Sequence, residues 1–146
     1  MQAAYKVACN LRYDDYRECV EGHGKDPKVW LPIGAKACDS VYFTVPNGEL
    51  AGCAGVHRDG QVWMLCTPAI DKYPHTFVRE AKRYIESRKE HRLWNMVDKR
   101  NSVHLKLLKF LGFEFTEEVV YGPNNLTFIK FKRDGNWSDL CFFNGD

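Results

Sequence analysis

No two cysteines in this sequence stand at Cys-x-x-Cys spacing, and no Cys/His set has zinc-finger spacing: Cys9, Cys19, Cys38, Cys53, Cys66 and Cys141 are scattered. A metal centre legible from spacing is therefore absent, and no metal ligand is assigned. Long apolar runs are missing too. No stretch has the length of a bilayer span, and residues 1–10 carry no apolar segment of the length a secretory signal needs. A membrane partner is not expected, and the cysteines read as free thiols of a cytosolic product, where thiols stay reduced. Charge of one sign is also lacking: 21 Lys and Arg against 19 Asp and Glu leave a net charge of +2. That excludes the basic footprint of a dedicated nucleic-acid binder. Repeats, low-complexity tracts and Pro/Gly-rich linkers do not occur, so one continuous domain is expected.

What the chain does contain is apolar material, 45% hydrophobic and 14% aromatic over 146 residues, enough for one sizeable core. Residues 3–9 read as a short strand. Tyr13, Tyr16 and Val20 mark a helix that Gly22 and Gly24 end, and residues 28–37 read as a second helix. The β-branched and aromatic run over 41–45, the turn at Pro46, Asn47 and Gly48, the return over 49–57, the turn Asp59-Gly60 and the run QVWMLC over 61–66 predict three antiparallel strands in series.

Pro74 suits a first helical turn, and Phe77, Val78, Ala81, Tyr84 and Ile85 form one apolar face behind it. Arg79, Lys82, Arg83, Arg88 and Lys89 fill the opposite face, which reads as solvated. Residues 93–97 predict a buried strand. The run NSVHLKLLKFLGF over 101–113 predicts a helix with Asn101 or Ser102 as N-cap and Gly112 in the left-handed position after its end. Strands over 117–121 and 126–132 close the order around the turn at residues 122–125. The class is α+β, with a sheet flanked by helices.

The order strand, helix, strand, Asn-headed helix ending in Gly-Phe resembles the GNAT acetyltransferases over residues 3–133. The resemblance implies a mixed, mostly antiparallel central sheet, and it implies acetyl-CoA as cofactor in any active member. In that family the loop after the fourth strand binds pyrophosphate with the pattern R/Q-x-x-G-x-G/A, backbone N–H groups at a helix N-terminus meeting the anion. Counted from Pro68, the pattern falls on Asp71, Pro74 and Thr76. An acid replaces the base, and a residue without an N–H replaces the first glycine. Lys72 and His75 are the side chains able to offset this loss, and Asn101 matches the family's CoA-contacting asparagine. Lys72, His75, Thr76 and Asn101 are thus the cofactor contacts expected if CoA binds.

Leu108 stands where many members carry a tyrosine that protonates the departing thiolate. No catalytic residue is assigned. Asp98 and Glu49 are candidate bases, Cys66 lies where the central strand should splay, and His57, His75 and His104 form no pattern with a nucleophile. Trp94, Asn95, the run over 101–112, Phe115, Glu117 and Glu118 resemble more closely a GNAT-like virion-protein family of short-tailed phages, in which the phosphate loop is reduced.

Residues 134–146 form a tail beyond the last expected strand. Trp137, Leu140, Phe142 and Phe143 in it are candidate partner contacts or an extra edge strand. Three functions follow as expectations. The first is a catalytically degenerate assembly component of a phage virion, with virion or other phage proteins as partners, possible homo-oligomerisation, and a place in the host cytoplasm or the virion. The second is an acetyl-CoA-dependent N-acetyltransferase, and the third is a small module that binds a host protein. No cofactor is needed for the first or third.

Overall fold

The computed structural model describes residues 2–135, so the aromatic tail lies outside the described residues. The chain opens with helices α1 (Gln2–Cys9) and α2 (Tyr13–Arg17), a π-helical turn (Glu18–Gly22) and α3 (Pro27–Ala37). Strands β1 (Asp39–Thr44), β2 (Leu50–Val56) and β3 (Val62–Cys66) follow, then a 3-10 turn (Pro68–Lys72) and α4 (Pro74–Ser87). Strand β4 (Arg92–Asp98), α5 (Ser102–Phe110), β5 (Glu114–Tyr121) and β6 (Leu126–Asp134) complete the order. Among the described residues no helix is long and apolar enough to cross a membrane.

Residues 3–9 are a helix rather than the expected strand. Ala4, Val7 and Ala8 are its buried residues, and their three- and four-residue spacing makes a helical stripe, which packs with Leu31, Ala35, Cys53 and Leu65. The helix expected over 13–20 is cut short at Arg17 and widens into the π-helical turn, a feature often found at functional sites. The remaining elements fall where turn chemistry and periodicity place them. Asp26 accepts the Lys28 N–H at 3.0 Å and Pro27 opens α3, while Gly112 takes φ +88 after α5. Phe113 then donates its N–H to Leu108 O at 3.0 Å and packs edge-on against Phe131. Asn101 sits at the N-cap position of α5, but its side chain makes no capping hydrogen bond.

Two antiparallel three-stranded sheets result, β1-β2-β3 and β4-β6-β5. Their main apolar core lies under α4 and α5, where Val56, Val62, Ile85, Val97, Leu107 and Phe131 meet. The sheets are joined at one end of the parallel neighbours β3 and β4, through the bridge Gln61–Trp94 and the Trp94 N–H donating to Gly60 O at 3.0 Å. Gly60 has φ +91, and a Cβ there would collide with the Arg92 carbonyl. Gly60→Ala is therefore expected to lower stability by about 2–3 kcal/mol, through left-handed strain plus that clash. Urea unfolding of the variant beside Gly48→Ala, whose added Cβ meets nothing within 4 Å, checks that the contact and not φ alone carries the loss.

Candidate functional site

Past the Gln61–Trp94 bridge, no ladder joins β3 to β4 among the described residues. Two facing backbone edges without strand partners need other hydrogen-bond partners, because an unpaired buried peptide group is costly. Asn95 Nδ2 donates to Val62 O at 2.8 Å, and α2 with the π-helical turn after it supplies others. Asp15 and Glu18, one turn apart, each accept from one strand: Asp15 Oδ2 takes the Cys66 N–H at 2.8 Å, and Glu18 Oε1 takes the Asp98 N–H at 2.9 Å. The Arg12 N–H donates to Cys66 O at 2.9 Å. Two carboxylates thus stand at the point where the strands part.

Asp15 is fully buried and is the centre of a polar cluster. Its Oδ1 accepts from Arg12 Nη1 at 3.0 Å and from Asn101 Nδ2 at 2.9 Å, with His104 Nε2 at 3.4 Å. Burial pushes the His104 imidazole below its usual range, against the pull of Asp15. Burial and the Asp15 charge push the Cys66 thiol well above its usual value, so it stays protonated and is not an activated nucleophile. On the other strand, Arg100 Nη2 holds Asp98 Oδ2 at 2.7 Å and Arg100 Nη1 holds Glu21 Oε1 at 2.8 Å.

A cavity of about 610 Å³ adjoins this junction, within the size range of small-molecule sites. Its walls are largely apolar and include Trp63, Phe77 and Leu108, with Glu18, Asn95 and Thr76 among the polar groups. Glu18 differs from the other acids among the described residues. Burial raises its carboxyl from 4.5 to about 8, helped by the Asp15 and Asp98 charges, while the Asp98 N–H and Asn101 pull it down. A carboxyl that titrates near neutrality in a cavity wall is suited to proton transfer. Sequence reasoning missed Glu18, since nothing local marks an acid of a short amphipathic helix as buried.

The residues nominated from sequence are dispersed. Thr76 lines the cavity. His75 lies on a separate groove between α4 and Phe110. Lys72, expected to offset the altered phosphate loop, instead donates to Glu49 Oε1 at 2.6 Å on the surface, so its charge is shared with an acid. Glu49, a candidate base, is held below its usual range by hydrogen bonds from Lys72 and Asn47. Asp98, the other, is held low by Arg100 although burial opposes this, and its oxygens are taken. Neither is a base near neutral pH. Asn101, 1% exposed, faces Asp15 rather than acting as a helix cap. Cys66, His104 and Asp15, which no spacing connects, come together.

No family model and no curated protein matches the chain. Solved structures do. The chain is similar to a GNAT-family acetyltransferase from Bacillus anthracis at 11% identity, with 91% of this chain and 87% of that one covered and a TM-score of 0.65. It is similar to a ribosomal-protein-alanine N-acetyltransferase from Brucella melitensis at 14% identity, 92% and 96% coverage and a TM-score of 0.58. A third match is an aminoglycoside acetyltransferase, AAC(6')-Ib, in complex with coenzyme A, at 16% identity, 89% and 86% coverage and a TM-score of 0.55. At these identities the shared property is the fold. The chain has the GNAT acetyltransferase fold, a mixed α+β architecture of antiparallel sheets flanked by helices.

Proposed function

We propose that the chain is an N-acetyltransferase that moves an acetyl group from acetyl-CoA to an amine, with Glu18 as proton acceptor. The observation that carries this reading is the position of Glu18, in the wall of a cavity at the junction of β3 and β4 and hydrogen-bonded to the Asp98 N–H. Acyl transfer to an amine begins from an ammonium group that must lose a proton. Glu18 in its charged form takes that proton, the free nitrogen attacks the thioester carbonyl, the C–N bond forms and the C–S bond breaks. Leu108 in the cavity wall offers no proton to the sulfur, so the leaving group departs as thiolate and the nitrogen releases its second proton to water.

The phosphate end is weaker. Pro68 and Pro74 donate no N–H, the Ala69 N–H is held by Thr67 Oγ1 at 3.3 Å, and Lys72 is paired with Glu49. Binding then rests on the acyl and pantetheine arm in the apolar cavity. Calorimetric titration with acetyl-CoA is expected to give about micromolar affinity, roughly −8 kcal/mol, unchanged in Lys72→Ala because that ammonium is already paired at the surface. Absence of heat at millimolar acetyl-CoA would sink the enzyme.

A second reading has its own support in the same loop. Asp71 and Pro74, where an anion would bind, support a catalytically degenerate scaffold. In that reading the chain is an assembly component of a phage virion, acting in the host cytoplasm or the particle, through contacts that include Trp137, Leu140, Phe142 and Phe143. Light scattering of the full chain and of a chain lacking residues 136–146 decides this: a defined oligomer lost with the tail, together with no acetyl-CoA binding, is its signature.

A further inference from the structure

The cluster of Asp15, Cys66 and His104 has no part in the reaction proposed above. One carboxylate oxygen, Sγ and one ring nitrogen lie within 4.8 Å of one another, and all three residues are buried. They come from α2, the end of β3 and α5. Of the three buried side-chain atoms without a hydrogen-bond partner among the described residues, Tyr84 Oη lies elsewhere and two, His104 Nε2 and Asn101 Oδ1, lie here, in residues that are 7% and 1% exposed. A buried polar atom left unpaired is costly, yet both belong to side chains that reach Asp15. His104 Nε2 stands 3.4 Å from Asp15 Oδ1, and the Asn101 amide nitrogen is already bonded to that same oxygen at 2.9 Å.

The 3.4 Å separation is that of two ligands on one small cation. Zn–N and Zn–O bonds of about 2.0–2.2 Å at a tetrahedral angle put their ligand atoms roughly 3.3 Å apart. We propose that Asp15, Cys66 and His104 bind one divalent cation of the zinc class, which pins α2 to β3 and α5. A thiolate and an imidazole favour zinc over magnesium or calcium. Binding releases one proton, from the Cys66 thiol, because the thiolate is the metal ligand and a neutral imidazole ligates without losing one. Arg12 keeps its bond to Asp15 Oδ1 and offsets one of the two anionic ligands, which leaves the cation's charge only partly neutralised. Three protein ligands leave a fourth position for water, whose O–H is a donor of the kind that Asn101 Oδ1 lacks.

The test uses the full chain, stripped with chelator under reducing conditions and titrated with Co²⁺ and then Zn²⁺. The expected result is about one Co²⁺ per chain, a thiolate-to-cobalt absorption band in the near ultraviolet, about one proton released per cation, and displacement of the band by Zn²⁺. Cys66→Ser should remove the band and weaken binding about a hundredfold, and His104→Gln should weaken it at least tenfold. Cys9→Ser, at an exposed thiol remote in sequence, should leave both intact. Circular dichroism confirms that each variant folds. Should Cys66→Ser fail to fold, Cys66→Ala takes its place, and wild-type stoichiometry and proton release still decide the matter. Uptake of less than about a tenth of an equivalent by the wild type overturns the site. So does stoichiometric binding with the same band in the Cys66 variant, because another thiol would then be the ligand.

Discussion

Glu18→Gln is expected to lower the rate of amine acetylation by about 10²–10⁴-fold at pH 8, with acetyl-CoA affinity unchanged. Glutamine keeps the shape of the side chain and an oxygen able to accept the Asp98 N–H, the bond of 2.9 Å that orients Glu18. It removes only the proton-accepting charge. The pH profile adds a second readout. With the carboxyl raised to about 8, the wild-type rate should climb as pH rises toward that value and level above it, and the variant should lack that limb.

Stability carries the same signature with the opposite sense. Between about 4.5, its ordinary value, and about 8, the folded chain holds a proton on Glu18 that the unfolded chain has released. Folded-state stability from this group is therefore fully present below 4.5 and declines as pH rises through that window. Urea unfolding at pH 5 and pH 8.5 should show a smaller decline for Glu18→Gln than for the wild type. Equal rates for the two proteins across the pH range would remove Glu18 from catalysis.

Asp15→Ala is expected to cost about 3–5 kcal/mol, the range for breaking a buried ion pair from one side. The loss is large because four partners are left at once. Arg12, 8% exposed, loses its 3.0 Å carboxylate contact and keeps only Asp14 at 4.0 Å. The Cys66 N–H and the Asn101 amide lose their acceptor, and His104 loses its nearest anion. A single domain is typically stable by about 5–15 kcal/mol, so the variant should unfold at markedly lower urea. A shift under about 1 kcal/mol would mean that water reaches the cluster and replaces the carboxylate.

The two predictions concern neighbouring acids that differ in what surrounds them, and nothing in the local sequence separates them. Tyr13 to Val20 reads as one short helix carrying Asp14, Asp15 and Glu18, and acids near a helix N-terminus ordinarily stay at the surface. Only the packing of that helix against the ends of β3 and β4 buries Asp15 and lifts Glu18. By contrast, the three-strand meander, α4, α5 and the final hairpin were legible, because alternation, apolar stripes and Gly turns are local signals. The first helix was not, since Ala4 and Ala8 are small enough that their stripe reads weakly beside Val7 and Tyr5. Asn101 had two local readings, a cap and a cofactor contact, and its side chain answers instead to Asp15, an acid from the other end of the chain.

The fold class was determined by the sequence alone, as was the chemistry of the segment leading into α4, since Asp71 adds an acid and Pro74 removes an N–H wherever the chain goes. The tertiary structure decided the chemistry. Lys72 was removed from any cofactor by Glu49, Asp98 was neutralised by Arg100, and Glu18 was set in a cavity wall. Cys66, His104 and Asp15 were brought into one cluster. The physical reason is range: helix and strand signals act over a few residues, whereas burial and charge pairing depend on which segments fold against each other.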